Sequence, residues 1–312
     1  LDALKQILKV CGSGAIIIVE STIAPGTFDK HLRPLIVQHG LTIGKDVHLV
    51  HAPERIIPGK MVYELKHNAR TLGADDLAIA EKVKTLYASF CEGPIVTTSI
   101  RSAEMTKIVE NTYRDINIAY ANELAKICRE DEMDVYEVIR IANLHPRVNI
   151  LQPGPGVGGH CISVDPWFLV GDYPGLANII LAARKINDSM PEFVLKRTRE
   201  IMEELHLTDF NQVGVYGLTY KENVDDTRES PTLQLFEAMA NHLAGPLKCY
   251  DPYVKKDLFP TQVHDLDVFL KDLKLVIVMV GHQEIIDHID KLKGKAVFDT
   301  RNVCPLEGTY KL

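Results

Sequence analysis

Cys161 closes a segment too rich in glycine and proline to be an ordinary packing element, Pro153-Gly154-Pro155-Gly156-Val157-Gly158-Gly159-His160-Cys161. A cysteine thiolate is a strong nucleophile that can capture a carbonyl carbon and hold it covalently between two chemical steps. Four glycines in so short a span favour positive φ or close approach to another group, which a plain surface loop rarely needs. Asp165 lies four residues beyond the thiol, so a helix beginning near His160 would put carboxylate and sulfur on one face. For a lone cysteine, a structural loop ending in a buried thiol is the competing reading.

Three further groups of residues carry polar chemistry. Lys107, Asn111 and Arg114 recur at i, i+4 and i+7 of a helical stretch and present an ammonium, an amide and a guanidinium together. Such a face can stabilise an oxyanion and hold a substrate hydroxyl or water; its bland alternative is a solvated face paired to Glu104 and Glu110. Gly217-Leu218-Thr219-Tyr220-Lys221 and Asp225-Asp226-Thr227-Arg228-Glu229-Ser230-Pro231 span a strand end and a helix start, where Lys221 and Arg228 suit an anion. Structurally, Ser230 caps a helix starting at Pro231, and the acids pair with Arg228. Arg301, after a later strand, should emerge at the same edge as Lys221, and His145 and Arg147 precede the glycine segment. No metal is expected, because adjacent His160 and Cys161 rarely ligate one ion and no second ligand lies at finger spacing. A cysteine hydrolase would need a base beside the thiol, and His160 is predicted to point elsewhere.

The elements that must position these groups alternate in type. A helix over Leu1–Val10, a strand over 15–20, a strand over 47–51, a helix over 75–90 and a strand over 93–98 read as the later part of a doubly wound sheet. Thr22 and Glu54 then fall just past strand carboxyl ends, where ligands sit in such folds. Helical periods follow over 103–129, 135–142 and 176–205, with Pro191 starting or kinking a helix. Strands over 213–218, 247–250, 275–280 and 297–299, with helices over 231–243 and 266–270, predict a second parallel sheet; the apolar run Val276–Val280 befits a strand covered on both faces. The fold class is α/β: a partial amino-terminal Rossmann-like domain over 1–100, a central helical region over 101–205 that can form a dimer seam, and a carboxyl-terminal Rossmann-like parallel-sheet domain over 206–312.

Composition narrows the function further. With 312 residues, 46% hydrophobic and 25% charged, the chain can bury two or three cores, and its net charge of −7 argues against a general nucleic-acid or membrane surface. Six dispersed cysteines without a C-x-x-C pair fit reduced thiols in a cytoplasm. No run reaches membrane-spanning length and no signal peptide is visible.

Taken together, Glu20-Ser21-Thr22 with Pro25-Gly26-Thr27, Ala52-Pro53-Glu54-Arg55, Lys107 with Asn111, Gly158-Gly159-His160-Cys161 with Asp165-Pro166, Tyr220-Lys221 and Asp226–Pro231 resemble the UDP-glucose and GDP-mannose dehydrogenase superfamily. Those nucleotide-sugar dehydrogenases oxidise a primary alcohol to a carboxylate with two NAD molecules. His145–Leu151 joined to the glycine segment looks like the branch that oxidises UDP-N-acetylmannosamine, with UDP-N-acetylglucosamine as the alternative sugar. The resemblance implies that Cys161 forms a thiohemiacetal and then a thioester. It implies catalytic roles for Lys107, Asn111, Asp165 and Glu54, NAD contacts from Thr22 and Arg228, and UDP-sugar contacts from Arg55, Ile56, Lys107, Asn111, Arg114, Lys221 and Arg301. His145 and Arg147 would reach across a homodimer formed by the central helices.

Two departures qualify the resemblance. Pro58-Gly59 stands where UDP-glucose dehydrogenases carry a further carboxylate, which argues against glucose. The family's amino-terminal G-x-G-x-x-G turn and ribose-binding acid do not occur in these residues. The expectation is therefore a piece of a longer protein, with weak NAD affinity but retained UDP-sugar binding and dimerisation. A non-catalytic nucleotide-sugar-binding dimer is the rival from another class.

Overall fold

The computed structural model describes residues 1–56, 60–241 and 247–312, so Pro58-Gly59 and the predicted end of the helix near residue 243 lie outside the described residues. The chain divides into two compact units, Leu1–Asn111 and Thr112–Leu312.

In the first unit, α1 (Asp2–Leu8) precedes β1 (Ala15–Val19), and a π-helical turn over Phe28–Leu32 leads into α2 (Arg33–Gln38). There follow β2 (Val47–His51), α3 (Met61–His67), β3 (Arg70–Ala74), α4 (Leu77–Tyr87) and β4 (Ile95–Thr98). The four strands lie in chain order, with β1 parallel to β2 and β3 parallel to β4. One strand departs from the expected pattern. β3 has no long apolar run, yet its Arg70-Thr71-Leu72-Gly73 stretch is buried, and it pairs antiparallel to β2, which makes the sheet mixed. Burial on both faces explains how so polar a stretch forms a central strand: Ile17, Phe28, Ile36 and Leu49 share one core, and Val50, Leu72, Ile79 and Val83 share another. At Gly73 a β-carbon would lie 2.8 Å from Ile100 Cα, so glycine lets the next helix cross the strand closely.

That helix, α5 (Ile100–Glu130), runs through the boundary between the units and places Lys107, Asn111 and Arg114 on successive turns, as the spacing requires. In the second unit it is followed by α6 (Val135–Ala142), the glycine segment, α7 (Asp165–Asp172), α8 (Asn178–Asp188) and α9 (Met190–Glu204). Pro191 sits in the first turn of α9, where its missing N–H has no helical partner to lose. Then come β5 (Val213–Tyr216), α10 (Pro231–Asn241), β6 (Lys248–Tyr250), β7 (Gln262–Val263), α11 (Leu266–Leu270), β8 (Leu275–Val278), α12 (Gln283–Asp287), β9 (Ala296–Asp299) and β10 (Tyr310–Lys311). The order β10-β9-β8-β5-β6-β7 is parallel throughout, and β5 and β8 at its centre are buried along their whole length. One face carries Val213, Val215, Phe236 and Met239 with the helical residues Ile139, Val194 and Ile201; the other carries Tyr216, Tyr250, Phe269 and Ile285.

One local expectation needs correction. The helix after the glycine segment begins at Asp165, not near His160, and residues 160–164 form turns. Ser163 Oγ donates to the Gly159 carbonyl, and Pro166 fixes the helical start one residue after Asp165. The Asp165 N–H nevertheless donates to the Cys161 carbonyl at 2.8 Å, so carboxylate and thiol remain one turn apart.

A buried polar chain ties α5 to α8 and to the glycine segment. Arg184 and Asp115 are both about fully buried, and the guanidinium donates to Asp115 Oδ1 at 2.6 Å and to Asp188. Asn187 Nδ2 also donates to Asp115 Oδ1 (2.8 Å), Asn122 Nδ2 donates to Asn187 Oδ1 (2.9 Å), and Asn122 Oδ1 accepts from the Gly154 N–H (2.8 Å). Burial raises the Asp115 carboxyl above its usual range despite Arg184 and Asn187. Arg184→Leu leaves that carboxyl without its cation and should cost about 3–5 kcal/mol in denaturant unfolding.

Candidate functional site

The glycine segment is shaped by contacts that leave no room for side chains. A β-carbon at Gly158 would lie 2.5 Å from the Glu229 carbonyl oxygen and 2.6 Å from Tyr220 Cβ. At Gly159, where φ is +83°, it would lie 2.9 Å from the Tyr220 ring, whereas at Gly154 the nearest atom, at 2.6 Å, is a terminal nitrogen of Arg301 that can swing aside. The Gly159 N–H donates to the Arg228 carbonyl at 3.0 Å. The segment therefore lies directly on the loop after β5, and glycine is the residue that permits it.

This docking fixes where Cys161 sits. The thiol is partly exposed and in no disulfide, two residues beyond the contact of Gly159 with the Tyr220 ring. Burial, then the charge of Asp226, raises the Tyr220 hydroxyl pKa. Arg228 is exposed and grips Asp226 through Nε (2.9 Å) and Nη2 (2.6 Å), which lowers the Asp226 carboxyl pKa. Of the acidic residues, Asp226 thus does pair with Arg228, and Ser230 does cap α10, its Oγ accepting from the Thr232 N–H at 3.2 Å.

Lys221 and Arg301 emerge at one edge, as their strands predict: both line a small cleft with Pro155, Gly156, Thr219 and Tyr220. A buried aspartate at a strand end holds the backbone of Arg301 itself and another holds the residues just before Lys221. Asp299 accepts from the N–H of Arg301 (2.9 Å) and of Cys304 (2.6 Å). Asp251, just beyond β6, accepts from the N–H of Leu218 (2.6 Å) and Thr219 (3.2 Å) and from His282 Nε2 (3.0 Å). Burial opposes the Asp251 charge, but the His282 hydrogen bond and the peptide donors outweigh it and hold the carboxyl below the usual range.

In the first unit, Glu54 sits past β2 with both oxygens engaged. Oε2 accepts from Arg70 at 2.7 Å, and Oε1 accepts from the N–H of Arg55 (2.5 Å) and Ile56 (2.8 Å). Arg55 bonds Glu110 (3.0 Å), Thr71 (3.0 Å) and the Ala69 carbonyl (3.0 Å). Glu104 is buried and accepts from the N–H of Gly26 (2.7 Å) and Phe28 (3.0 Å). Both glutamates of the solvated-face reading are therefore committed to partners other than Lys107, which is itself only partly buried. Thr22 is partly buried in the irregular stretch after β1, and Arg114, His145 and Arg147 are exposed. Sequence reasoning missed Arg70, Asp251 and His282; the available signal was charged residues beside or inside apolar strands.

Among the described residues no group of three or more His, Cys, Asp or Glu is arranged to hold a metal, and no helix is long and apolar enough to cross a membrane.

Three models of the UDP-glucose/GDP-mannose dehydrogenase family match in order: the NAD binding domain at residues 1–91, the central domain at 101–189 and the UDP binding domain at 214–305. The chain belongs to that family. A UDP-N-acetyl-D-mannosamine dehydrogenase of Methanocaldococcus jannaschii is 41% identical over 96% of this chain and 69% of its own length. The Escherichia coli K12 protein of the same name is 37% identical over 97% and 76%. Among solved structures, a UDP-N-acetyl-mannosamine dehydrogenase of Staphylococcus aureus superposes with a TM-score of 0.87 at 46% identity, covering 99% of this chain and 75% of that one.

Membership in the UDP-glucose/GDP-mannose dehydrogenase family implies NAD, and the residues present fit part of its site. Ser21 and Thr22 follow the carboxyl end of β1, the edge at which such sheets take dinucleotides. The amides of Gly26 and Phe28 are already filled by Glu104, so that turn is not a phosphate cradle.

Two outcomes follow from this geometry. Gly158→Ala must push backbone apart and should cost about 1–3 kcal/mol in denaturant unfolding, with weakened UDP binding in calorimetry. Because the folded Asp251 pKa is depressed, its contribution to stability is complete above the usual carboxylate range and is lost as pH falls through the folded value. Asp251→Asn should accordingly flatten the acid limb of a stability–pH profile.

Proposed function

We propose that this protein oxidises the primary alcohol of UDP-N-acetyl-D-mannosamine to the uronate, removing two hydrides in succession. Support for the sugar comes from the relatives so named. Support for the chemistry comes from one observation: the glycine segment that leads into Cys161 docks on the loop after β5, with Gly159 against the Tyr220 ring and bonded to the Arg228 carbonyl, in the unit whose cleft holds Lys221 and Arg301.

NAD, when bound, supplies the hydride acceptor, with Thr22 and Arg228 among its contacts. After the first oxidation, Cys161 Sγ adds to the aldehyde carbon, forming a C–S bond, and the carbonyl oxygen becomes an alkoxide that Lys107 stabilises. Loss of the second hydride leaves a thioester on Cys161. Water then attacks the acyl carbon, the C–S bond breaks and the sulfur leaves as thiolate. Glu54 orders that water, its carboxylate held by Arg70 and two peptide N–H groups. Asn111 and Asp165 position water and polar groups, while Arg55, Ile56, Arg114, Lys221 and Arg301 hold the UDP-sugar.

The working form in this reading is a cytoplasmic homodimer paired through the central helices, with Arg147 and His145 reaching the partner's substrate. Tyr113, Tyr120 and Ile127 support it, being at least half exposed and spaced seven residues apart along α5.

Cys161→Ser in the natural full-length protein should abolish uronate formation from UDP-N-acetyl-D-mannosamine, read by mass spectrometry of the product. Undiminished uronate release would end the thioester mechanism. Oxidation of UDP-N-acetylglucosamine in preference to its mannosamine epimer would reassign the sugar.

A further inference from the structure

We infer that Asp251 and His282 form a buried latch that positions the Thr219–Lys221 loop for the diphosphate of the nucleotide sugar. The inference rests on the function proposed above and adds two positioning residues to it.

Three parallel strands deliver the parts. The loop follows β5, Asp251 follows β6, and His282 lies beyond β8. Thr219, Asp251 and His282 are each at most 1% exposed, so every bond among them is made without competing water. Asp251 Oδ2 takes three donors, from Leu218, Thr219 and His282. His282 Nδ1 accepts from the Asn223 N–H at 2.9 Å, which requires the imidazole hydrogen on Nε2, where it points at Asp251. Thr219 Oγ1 lies 3.3 Å from the same Nε2 and donates to the Lys221 carbonyl at 2.8 Å.

The latch therefore grips the loop on both sides of Lys221, at Leu218–Thr219 and at Asn223. Asn223 adopts φ +59°, a left-handed conformation that asparagine tolerates better than most side-chain-bearing residues. Its carboxamide oxygen accepts from the Gln283 N–H at 2.9 Å, which secures it in that state. A lysine on an unrestrained loop would spend binding energy ordering its backbone; here that order exists before the ligand arrives. His282 lines no part of the cleft that Lys221 and Arg301 share, so it acts through the loop rather than by touching ligand.

The test compares His282→Leu, which removes donor and acceptor, with His282→Gln, whose carboxamide keeps one of each. UDP and NAD affinities are measured by calorimetry on the full-length protein, with KM and kcat for the nucleotide sugar. His282→Leu should weaken UDP binding and raise KM about tenfold or more while leaving NAD affinity and kcat within about twofold, and His282→Gln should recover most of the loss. Thr219→Val, which loses the bond to the Lys221 carbonyl and the contact with His282 Nε2 but keeps the Asp251–His282 pair, should show the same selectivity at smaller size, and it carries the test if His282→Leu does not fold. Unchanged UDP affinity in these variants, or NAD and UDP affinities falling together, would overturn the latch. Failure of the unsubstituted protein to bind UDP would instead remove the function on which it rests.

Discussion

A methyl group has no place at Gly158 or Gly159, because the Glu229 carbonyl and the Tyr220 ring already occupy the space. That steric constraint orders the second unit's chemistry. Close packing converts loop sequence into position: with no slack at Gly158 and Gly159, the chain enters Cys161 from a point held against the Tyr220 ring and the Arg228 carbonyl. The same contact works in reverse, since the loop after β5 is braced by the segment lying on it. In the proposed function, thiol chemistry and nucleotide binding are thus properties of one packed junction.

Buried charge supplies the second half of the arrangement. Asp115, Asp251 and Asp299 are all at most 1% exposed, and each has been desolvated at a cost that only multiple donors can offset. Asp299 and Asp251 meet that requirement with peptide N–H groups from loops leaving strand ends, so their neutralisation and the shaping of those loops are one event. Asp115 is held by Arg184 and Asn187, and through Asn187 and Asn122 the chain of bonds reaches Gly154. Helical centre and glycine segment are thereby joined by polar contacts whose directionality apolar packing could not supply.

The groups to which the proposed function assigns chemistry are legible in the sequence because local pattern marks them. A glycine run ending in cysteine, Lys107 and Asn111 one helical turn apart, and Lys221 and Arg301 after apolar strands all announce themselves within a few residues. The supporting residues are not, since their partners are distant in the chain: Arg184 lies 69 residues from Asp115, and His282 lies 31 from Asp251. β3 escaped notice for a related reason, its Arg70 being a buried partner of Glu54 rather than a surface residue. The start of α7 is not legible locally because Ser163 takes the Gly159 carbonyl and delays the helix to Asp165.

The central claim, that Cys161 reacts at a nucleotide-sugar site, is tested most directly by cysteine alkylation read peptide by peptide. Cys91, Cys128, Cys249 and Cys304 are buried, whereas Cys11 and Cys161 are partly exposed and should label. Adding UDP-N-acetyl-D-mannosamine should slow labelling at Cys161 and leave Cys11 unchanged. Equal labelling of Cys161 with and without saturating nucleotide sugar would contradict the account.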